Sequence, residues 1–238
     1  RTEVDQYLHQ FTSVEPSRFA VVRVTGGVLL RDMDALVSAL AFLHNVGLRP
    51  VIVHGAGPQL DEALDAAGIS TPRIEGLRVT PPAALDIVKK ILQRENLRLV
   101  DALSRMGVHA RPISTGVLEA ESQDAEALGL VGKVNAVHLD AIQSAIGAGA
   151  LPVIASLGET RSGQILNINA VVATRALTQV LKPYKVIFLN EQGALRDGAG
   201  QPVSAINLAE DYAGLMEQPW VTPELRMKLG EIKQILDG

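Results

Sequence analysis

The chain has 238 residues, a formal net charge of -4, 47% hydrophobic residues and 20% charged residues, a globular composition and not that of a disordered segment. It contains no cysteine, which excludes disulfide scaffolds, thiol catalysis and cysteine-held zinc or iron–sulfur centres; with 3% aromatic residues a base-stacking nucleic-acid platform is not expected either. The acidic balance predicts no global polyanion-binding surface, and no apolar run approaches the length of a membrane span. The chain starts on Arg1 without an initiator Met and without a signal peptide's apolar core, so it reads as a fragment of a longer protein.

Residues 3–12 place Val4, Tyr7, Leu8 and Phe11 at helical spacing, a stripe that needs a partner surface, and residues 13–17, with Pro16, read as a connector. Residues 19–24 form a continuous β-branched run broken only by Arg23, which suits a strand buried on both faces. Gly26-Gly27 follow it. A helix is predicted over 32–46, with Leu36, Leu40 and Leu43 on one face and Gly47 as its stop. Residues 50–54 give the second buried strand, Gly55-Ala-Gly-Pro58 a tight turn, and 59–67 the next helix. A long amphipathic helix is predicted over 82–106, with Leu85, Val88, Leu92, Leu99 and Leu103 in register. The third strand is 151–155, a hairpin surrounds Ser162-Gly163, and 172–181 is helical. A fourth strand at 185–189, a second hairpin marked by Asp197-Gly198 and Gly200, and a closing helix over 225–236 complete the pattern. Alternating buried strands and helices predict an α/β fold, a three-layer α/β/α arrangement around an open, mainly parallel sheet.

Two glycine turns, Gly26-Gly27 and Gly55-Ala56-Gly57, follow predicted strands. Where a parallel strand ends, such turns let the backbone approach a ligand, and the next helix N-terminus favours an anion. Neither turn matches the dinucleotide or the Walker-type fingerprint. Basic residues stand near them in the pattern. Arg23 interrupts the first strand, where a buried arginine needs a partner and an edge arginine reaches solvent. Arg78 lies in Gly76-Leu-Arg-Val-Thr80, where its fork suits either a substrate carboxylate or a surface salt bridge. Lys228 lies on the last helix. Asn167 and Asn169 occupy alternate positions of a predicted hairpin strand, so both amides would share one face, unless they form the turn. His54, between a strand and a glycine turn, reads as a hydrogen-bonding support and not as a catalyst. The histidines have no metal-ligand spacing, and no nucleophile elbow is present.

Together, Phe19-Ala-Val-Val-Arg-Val-Thr-Gly-Gly27, His54-Gly-Ala-Gly-Pro-Gln-Leu60, Gly76-Leu-Arg-Val-Thr80, Ile165-Leu-Asn-Ile-Asn-Ala170 and Ile187-Phe-Leu-Asn-Glu-Gln-Gly193 resemble the amino acid kinase family, in its acetylglutamate kinase branch. Ser17-Arg-Phe-Ala-Val-Val22 and Pro152-Val-Ile-Ala-Ser-Leu-Gly-Glu159 are most similar to members whose kinase domain is fused to an acetyltransferase that makes N-acetylglutamate. The resemblance implies an acyl-amino-acid lobe over about 17–180 and a truncated nucleotide lobe over about 181–238, with 1–16 as an N-terminal helix and connector. It implies transfer of the ATP γ-phosphoryl group to the γ-carboxylate of N-acetyl-L-glutamate, a step of arginine biosynthesis that needs positioning and charge neutralisation. By resemblance, Gly26, Gly27, Gly55, Ala56 and Gly57 cradle the substrate carboxylate and the travelling phosphoryl group, and Arg78 clamps the α-carboxylate. Asn167 and Asn169 hold substrate polar groups. Arg23 and Lys228 flank the transfer, and Leu189, Asn190 and Gly193 lie toward the nucleotide. Mg²⁺ travels with ATP, with no protein metal site. L-Arginine as feedback effector, a homo-oligomer and a cytoplasmic or mitochondrial-matrix location are further implications.

The chain departs from the family pattern in four places. Arg23 stands where lysine is usual, and Thr25 is inserted before the glycine pair. Val171 stands where an aspartate organises the two cations, and Pro223-Glu224 replace a late glycine pair, which puts a carboxylate where it could repel a nucleotide phosphate. Two readings follow: an acetylglutamate kinase, or a kinase-shaped domain that has lost phosphoryl transfer and serves as an arginine-sensing, oligomerising platform for a synthase. The retained glycine turns, Arg78 and Asn167 favour the kinase.

Overall fold

The computed structural model describes residues 19–237, so the N-terminal stripe of Val4, Tyr7, Leu8 and Phe11 lies outside the described residues. The apolar run becomes β1 (Ala20–Val24), buried except at Arg23. The glycine pair then opens a helix, α1 (Gly26–Arg31), where sequence reading placed only a turn. Thr25 caps it, its hydroxyl accepting from the Val28 N–H at 3.3 Å. Next come α2 (Met33–Asn45), β2 (Val51–His54) and α3 (Gly57–Ala66). A short ribbon, β3 (Arg73–Ile74) and β4 (Leu77–Arg78), leads to the long helix α4 (Pro82–Arg105). The middle of the chain adds β5 (Ala110–Ile113), β6 (Leu118–Ser122), α5 (Ala125–Leu128), β7 (Gly132–Val137) and α6 (Asp140–Gly147). Then follow β8 (Leu151–Ala155), β9 (Leu157–Glu159), β10 (Ile165–Asn167), α7 (Ala170–Leu181) and β11 (Lys185–Leu189). Helices α8 (Leu208–Met216) and α9 (Pro223–Leu236) close the described chain.

The central sheet has the order β11-β1-β2-β8-β5 with every pairing parallel, as the apolar runs predict. Alternation along the strands feeds two cores. Ala20, Val22, Val24, Ile52 and Val153 face one layer, with Leu36 and Leu40 of α2 and Leu99 and Leu103 of α4. Val21, Val51, Val53 and Ile154 face the other, with Ile142 of α6 and Ala173 and Leu177 of α7. The three-layer α/β/α expectation is therefore met. A second sheet, β10-β9-β6-β7, carries the hairpin expected around Ser162-Gly163, with β9 and β10 antiparallel and Gly163 at φ +86°. The segment after residue 181 contributes β11 to the central sheet, and α9 packs on α7 through the Arg175–Glu231 ion pair.

Helices α3 and α9 begin two residues before their expected starts, because a proline fits a helix's first turn. One placement is overturned. Asn169 is not a strand residue sharing a face with Asn167. It is the N-cap of α7, its Oδ1 accepting from the Val171 N–H at 2.8 Å. Asparagine competes well for such caps, and it ends β10 at Asn167.

Candidate functional site

The carboxyl ends of β1, β2, β8 and β11 lie side by side, and the residues after them form one rim of the sheet. Parallel α/β sheets bind ligands at this rim. A cavity of about 140 Å³ opens there, several times the room one water needs. Its floor is Gly55-Ala56-Gly57, between β2 and α3. The β3–β4 ribbon supplies Arg73 and Arg78, β10 and its continuation supply Asn167 and Asn169, and α9 supplies Glu224 and Lys228. Arg23 reaches in from β1. The structure thus brings together Arg23, Gly55, Ala56, Gly57, Arg78, Asn167, Asn169 and Lys228, residues scattered over the whole sequence.

Arg78 is largely buried. Its Nη1 donates to Thr71 Oγ1 at 2.9 Å, and its Nη2 to Asp61 Oδ1 at 2.5 Å. Asp61, on α3, also pairs with Arg73 at 3.3 Å, so one carboxylate holds both arginines of the ribbon. Asn167 Nδ2 donates to Thr80 Oγ1 at 3.0 Å. Arg23 Nε is buried without a hydrogen-bond partner. Burial disfavours the Arg23 guanidinium's charge, while Glu224 and Glu191 favour it. Lys228 Nζ pairs with Glu224 Oε1 at 2.9 Å. That bond leads in holding the Glu224 carboxyl below the usual carboxylate range, with Arg73 and Arg23 adding to it. Glu224 is therefore not the bare repulsive charge the sequence suggests, since a lysine one turn along neutralises it. Val171 is 1% exposed, and α7 offers the cavity only Ala170 and Val171, so no carboxylate comes from that helix.

Five expected residues fall outside the cavity lining: Gly26, Gly27, Leu189, Asn190 and Gly193. The space over Gly26 is taken by Gln59 Oε1, and a Cβ on Gly27 would stand 2.5 Å from Glu191 Cδ. Both glycines are thus required by the protein's own side chains. Glu191 accepts from Thr25 Oγ1 at 2.8 Å. Burial works against its charge, but its own backbone N–H, Thr25, Arg31 and Lys228 hold its carboxyl below the usual range. Leu189 accepts from the Thr25 N–H at 3.2 Å, while Asn190 and Gly193 form a turn closed at 3.3 Å. They stand beside the first glycine turn, not at the cavity.

Beneath the two glycine turns lies a polar cluster of which sequence reading singled out only His54, as a hydrogen-bonding support. His54, Gln59, Glu95 and Asn96 are all buried. Glu95 pairs with Arg94 at 2.8 Å and Arg98 at 2.7 Å. Burial lowers the His54 pKa to about 4, so the ring is neutral near pH 7. The signal was present in the sequence: on α4 the apolar series Val88, Leu92, Leu99, Leu103 puts its next inward positions at 95 and 96, and both are polar. Among the described residues no group of His, Asp and Glu could hold a metal ion, and no helix is long and apolar enough to cross a membrane.

A profile of the amino acid kinase family matches residues 18–237. The chain belongs to the amino acid kinase family. An acetylglutamate kinase of Xanthomonas campestris is 51% identical to this chain over 235 residues, 99% of the chain and 55% of the relative. Protein arg-6, mitochondrial, of Neurospora crassa is 50% identical over 237 residues, 100% of the chain and 27% of the relative. The chain thus spans about half the length of the Xanthomonas and Xylella relatives it matches, and about a quarter of the Neurospora one. Among solved structures, N-acetylglutamate synthase from Neisseria gonorrhoeae, complexed with coenzyme A and N-acetyl-glutamate, superposes with a TM-score of 0.86 at 21% identity, covering 99% of this chain and 55% of that one. At that identity the likeness speaks for the fold.

Proposed function

We propose that this amino acid kinase domain transfers the γ-phosphoryl group of ATP to the γ-carboxylate of N-acetyl-L-glutamate. The observation that carries the reading is the convergence of Arg23, Arg73, Arg78 and Lys228 on one cavity at the carboxyl rim of a parallel sheet. Both reactants are anionic, and their approach needs cations held in place before they arrive. A γ-carboxylate oxygen attacks the γ-phosphorus, the bond from that phosphorus to the bridging oxygen breaks, and ADP leaves; no proton moves.

In this reading Arg78 binds the substrate α-carboxylate, with Asp61 and Thr71 fixing its fork. Gly55, Ala56 and Gly57 allow close backbone approach, and Asn167 and Asn169 lie beside the acyl amino acid. Arg23 and Lys228 flank the transferred group, and the orphaned Arg23 Nε is a donor that an anionic oxygen would satisfy. Gly26 and Gly27 act from behind this lining, and Leu189, Asn190 and Gly193 border the nucleotide. Mg²⁺ bound to ATP supplies further neutralisation of phosphate charge, without ligands from the described residues. L-Arginine feedback, assembly into a homo-oligomer and an additional domain in the full-length protein belong to the same proposal. So does a cytoplasmic location, or the mitochondrial matrix in a eukaryote.

Val171 favours a second reading, a non-catalytic arginine-sensing domain, because α7 brings no carboxylate to organise the cations. ADP release with Mg-ATP, with and without N-acetyl-L-glutamate, separates the two. Acetylglutamate-dependent turnover supports the kinase. Absence of turnover with calorimetric binding of acetylglutamate supports the second reading, and absence of both overturns the assignment of the cavity.

A further inference from the structure

Two adjacent residues of α4 reach both glycine turns, each through one intermediary. Asn96 Nδ2 donates to the Val153 carbonyl at 2.9 Å and meets His54 Nε2 at 3.0 Å. A carbonyl can only accept, so the amide's orientation is fixed and Nδ2 is the donor to His54 as well. His54 Nε2 therefore carries the lone pair, and the ring proton sits on Nδ1, facing the Gly55 carbonyl at 3.3 Å. One residue back along the helix, Glu95 Oε2 accepts from Gln59 Nε2 at 3.4 Å, and the same Nε2 donates to the Gly26 carbonyl at 2.9 Å. Gln59 Oε1 and Asn96 Oδ1 are left buried and unpartnered. That loss is what it takes to turn both amide donors toward these partners.

The consequence follows from peptide geometry. In a trans peptide the carbonyl of one residue and the N–H of the next point in opposite directions. Drawing the Gly26 and Gly55 carbonyls into the buried cluster aims the Gly27 and Ala56 N–H groups away from it. Neither N–H has a hydrogen-bond partner among the described residues. Ala56 belongs to the cavity lining.

We propose that His54, its tautomer fixed by Asn96, is a positioning residue that sets the Ala56 N–H of the second glycine turn for phosphoryl transfer, while Glu95 and Gln59 hold the first turn behind the cavity lining. The inference rests on the kinase reading of the same site. The cluster uses the long helix, the element anchored through Leu92, Leu99 and Leu103 to the core, as a common reference for two turns 29 residues apart in sequence. The neutrality of His54 keeps the arrangement single-state near pH 7.

Two isosteric changes at His54 test it. His54→Asn keeps a donor at the Nδ1 place and loses the acceptor for Asn96. His54→Gln keeps an acceptor at the Nε2 place and loses the bond to Gly55. Both disturb the core by one buried hydrogen bond, so a purely structural role predicts equal effects. The expected result is a kcat for His54→Gln about 10- to 100-fold below that of His54→Asn, as for other groups that orient a reacting shell. KM for both substrates should differ between the variants by less than about 3-fold, and Tm by less than about 4 °C. Equal kcat values, or the reverse order, overturn the proposal while normal wild-type turnover leaves the kinase reading standing. Wild-type protein without turnover sinks that reading and this role together. If the variants do not fold, long-range proton–nitrogen correlation on wild-type protein decides: His54 protonated at Nδ1 is expected, and protonation at Nε2 overturns the inference.

Discussion

Acidification sets His54 against the fold. In the unfolded chain its imidazole protonates with the ordinary value near 6.5, while in the folded protein burial holds it at about 4. Between those values the unfolded chain binds a proton that the native state refuses, so stability is fully present above about pH 6.5 and declines as pH falls toward 4. At about pH 5 the linkage amounts to about 2 kcal/mol, a shift in Tm of about 4–8 °C for a chain of this size. Carboxylates titrate in the same range, so the measurement is a difference. Urea unfolding of wild type and of His54→Asn at about pH 7.5 and about pH 5 gives two pH dependences, and wild type should lose about 2 kcal/mol more than the variant. Parallel losses would mean that His54 accepts a proton inside the folded protein. The Nδ1–H tautomer deduced from Asn96 and Val153 would then not be the state that holds Gly55.

Arg78→Ala should raise KM for acetylglutamate by about 2 kcal/mol or more, roughly 30-fold, because the partner carboxylate loses a buried charge; an unchanged KM in a steady-state assay removes Arg78 from the substrate site. Glu224→Gln removes a negative charge from a cavity built for anions, a Coulomb change of about 1 kcal/mol at partly exposed sites, so KM for ATP should fall about 5-fold. Its Tm should move by less than about 4 °C, since an exposed pair one helical turn apart contributes little. A raised KM for ATP would show that Glu224 holds Lys228 in place more than it repels phosphate.

Three strands of the central sheet were legible because burial on both faces forces continuous apolar runs, as at 20–24, 51–54 and 151–155, while 185–189 keeps its apolar run although it is an edge strand only half-buried along its length. Strand β5, Ala-Arg-Pro-Ile, was not: it lies at the sheet's edge, where an exposed arginine and a proline are tolerated. Strands β6 and β7 carry few apolar residues, and helix α6 is too short for its Ile142 and Ala145 to show a period. At the site, the residue pattern named Arg23, Arg78 and Lys228 but left each open to a plain surface or structural reading, and only the family resemblance joined them, since nothing in local spacing makes residues from opposite ends of the chain neighbours across one cavity. Gly26 and Gly27 show the limit of reading glycines as ligand cradles: their missing side chains make room for Gln59 and Glu191. The buried pair Glu95-Asn96 was visible as a polar interruption at core register, a pattern that points inward and says nothing of what lies there.

The pairing of β1 with β11 has a consequence for synthesis. Val24 meets Leu189 across that ladder, about 165 residues later in the chain. On a ribosome adding about 5–20 residues per second, β1 waits on the order of 10–30 s for this neighbour, with Ala20, Val21, Val22 and Val24 on an unpaired edge. Strand β2 arrives within seconds and covers only the other side. The growing chain therefore passes through a prolonged stage in which an apolar β-edge, charged only at Arg23, is open to any other extended segment. Arg23, the lone charged residue of the strand, is then its guard against pairing with the wrong chain.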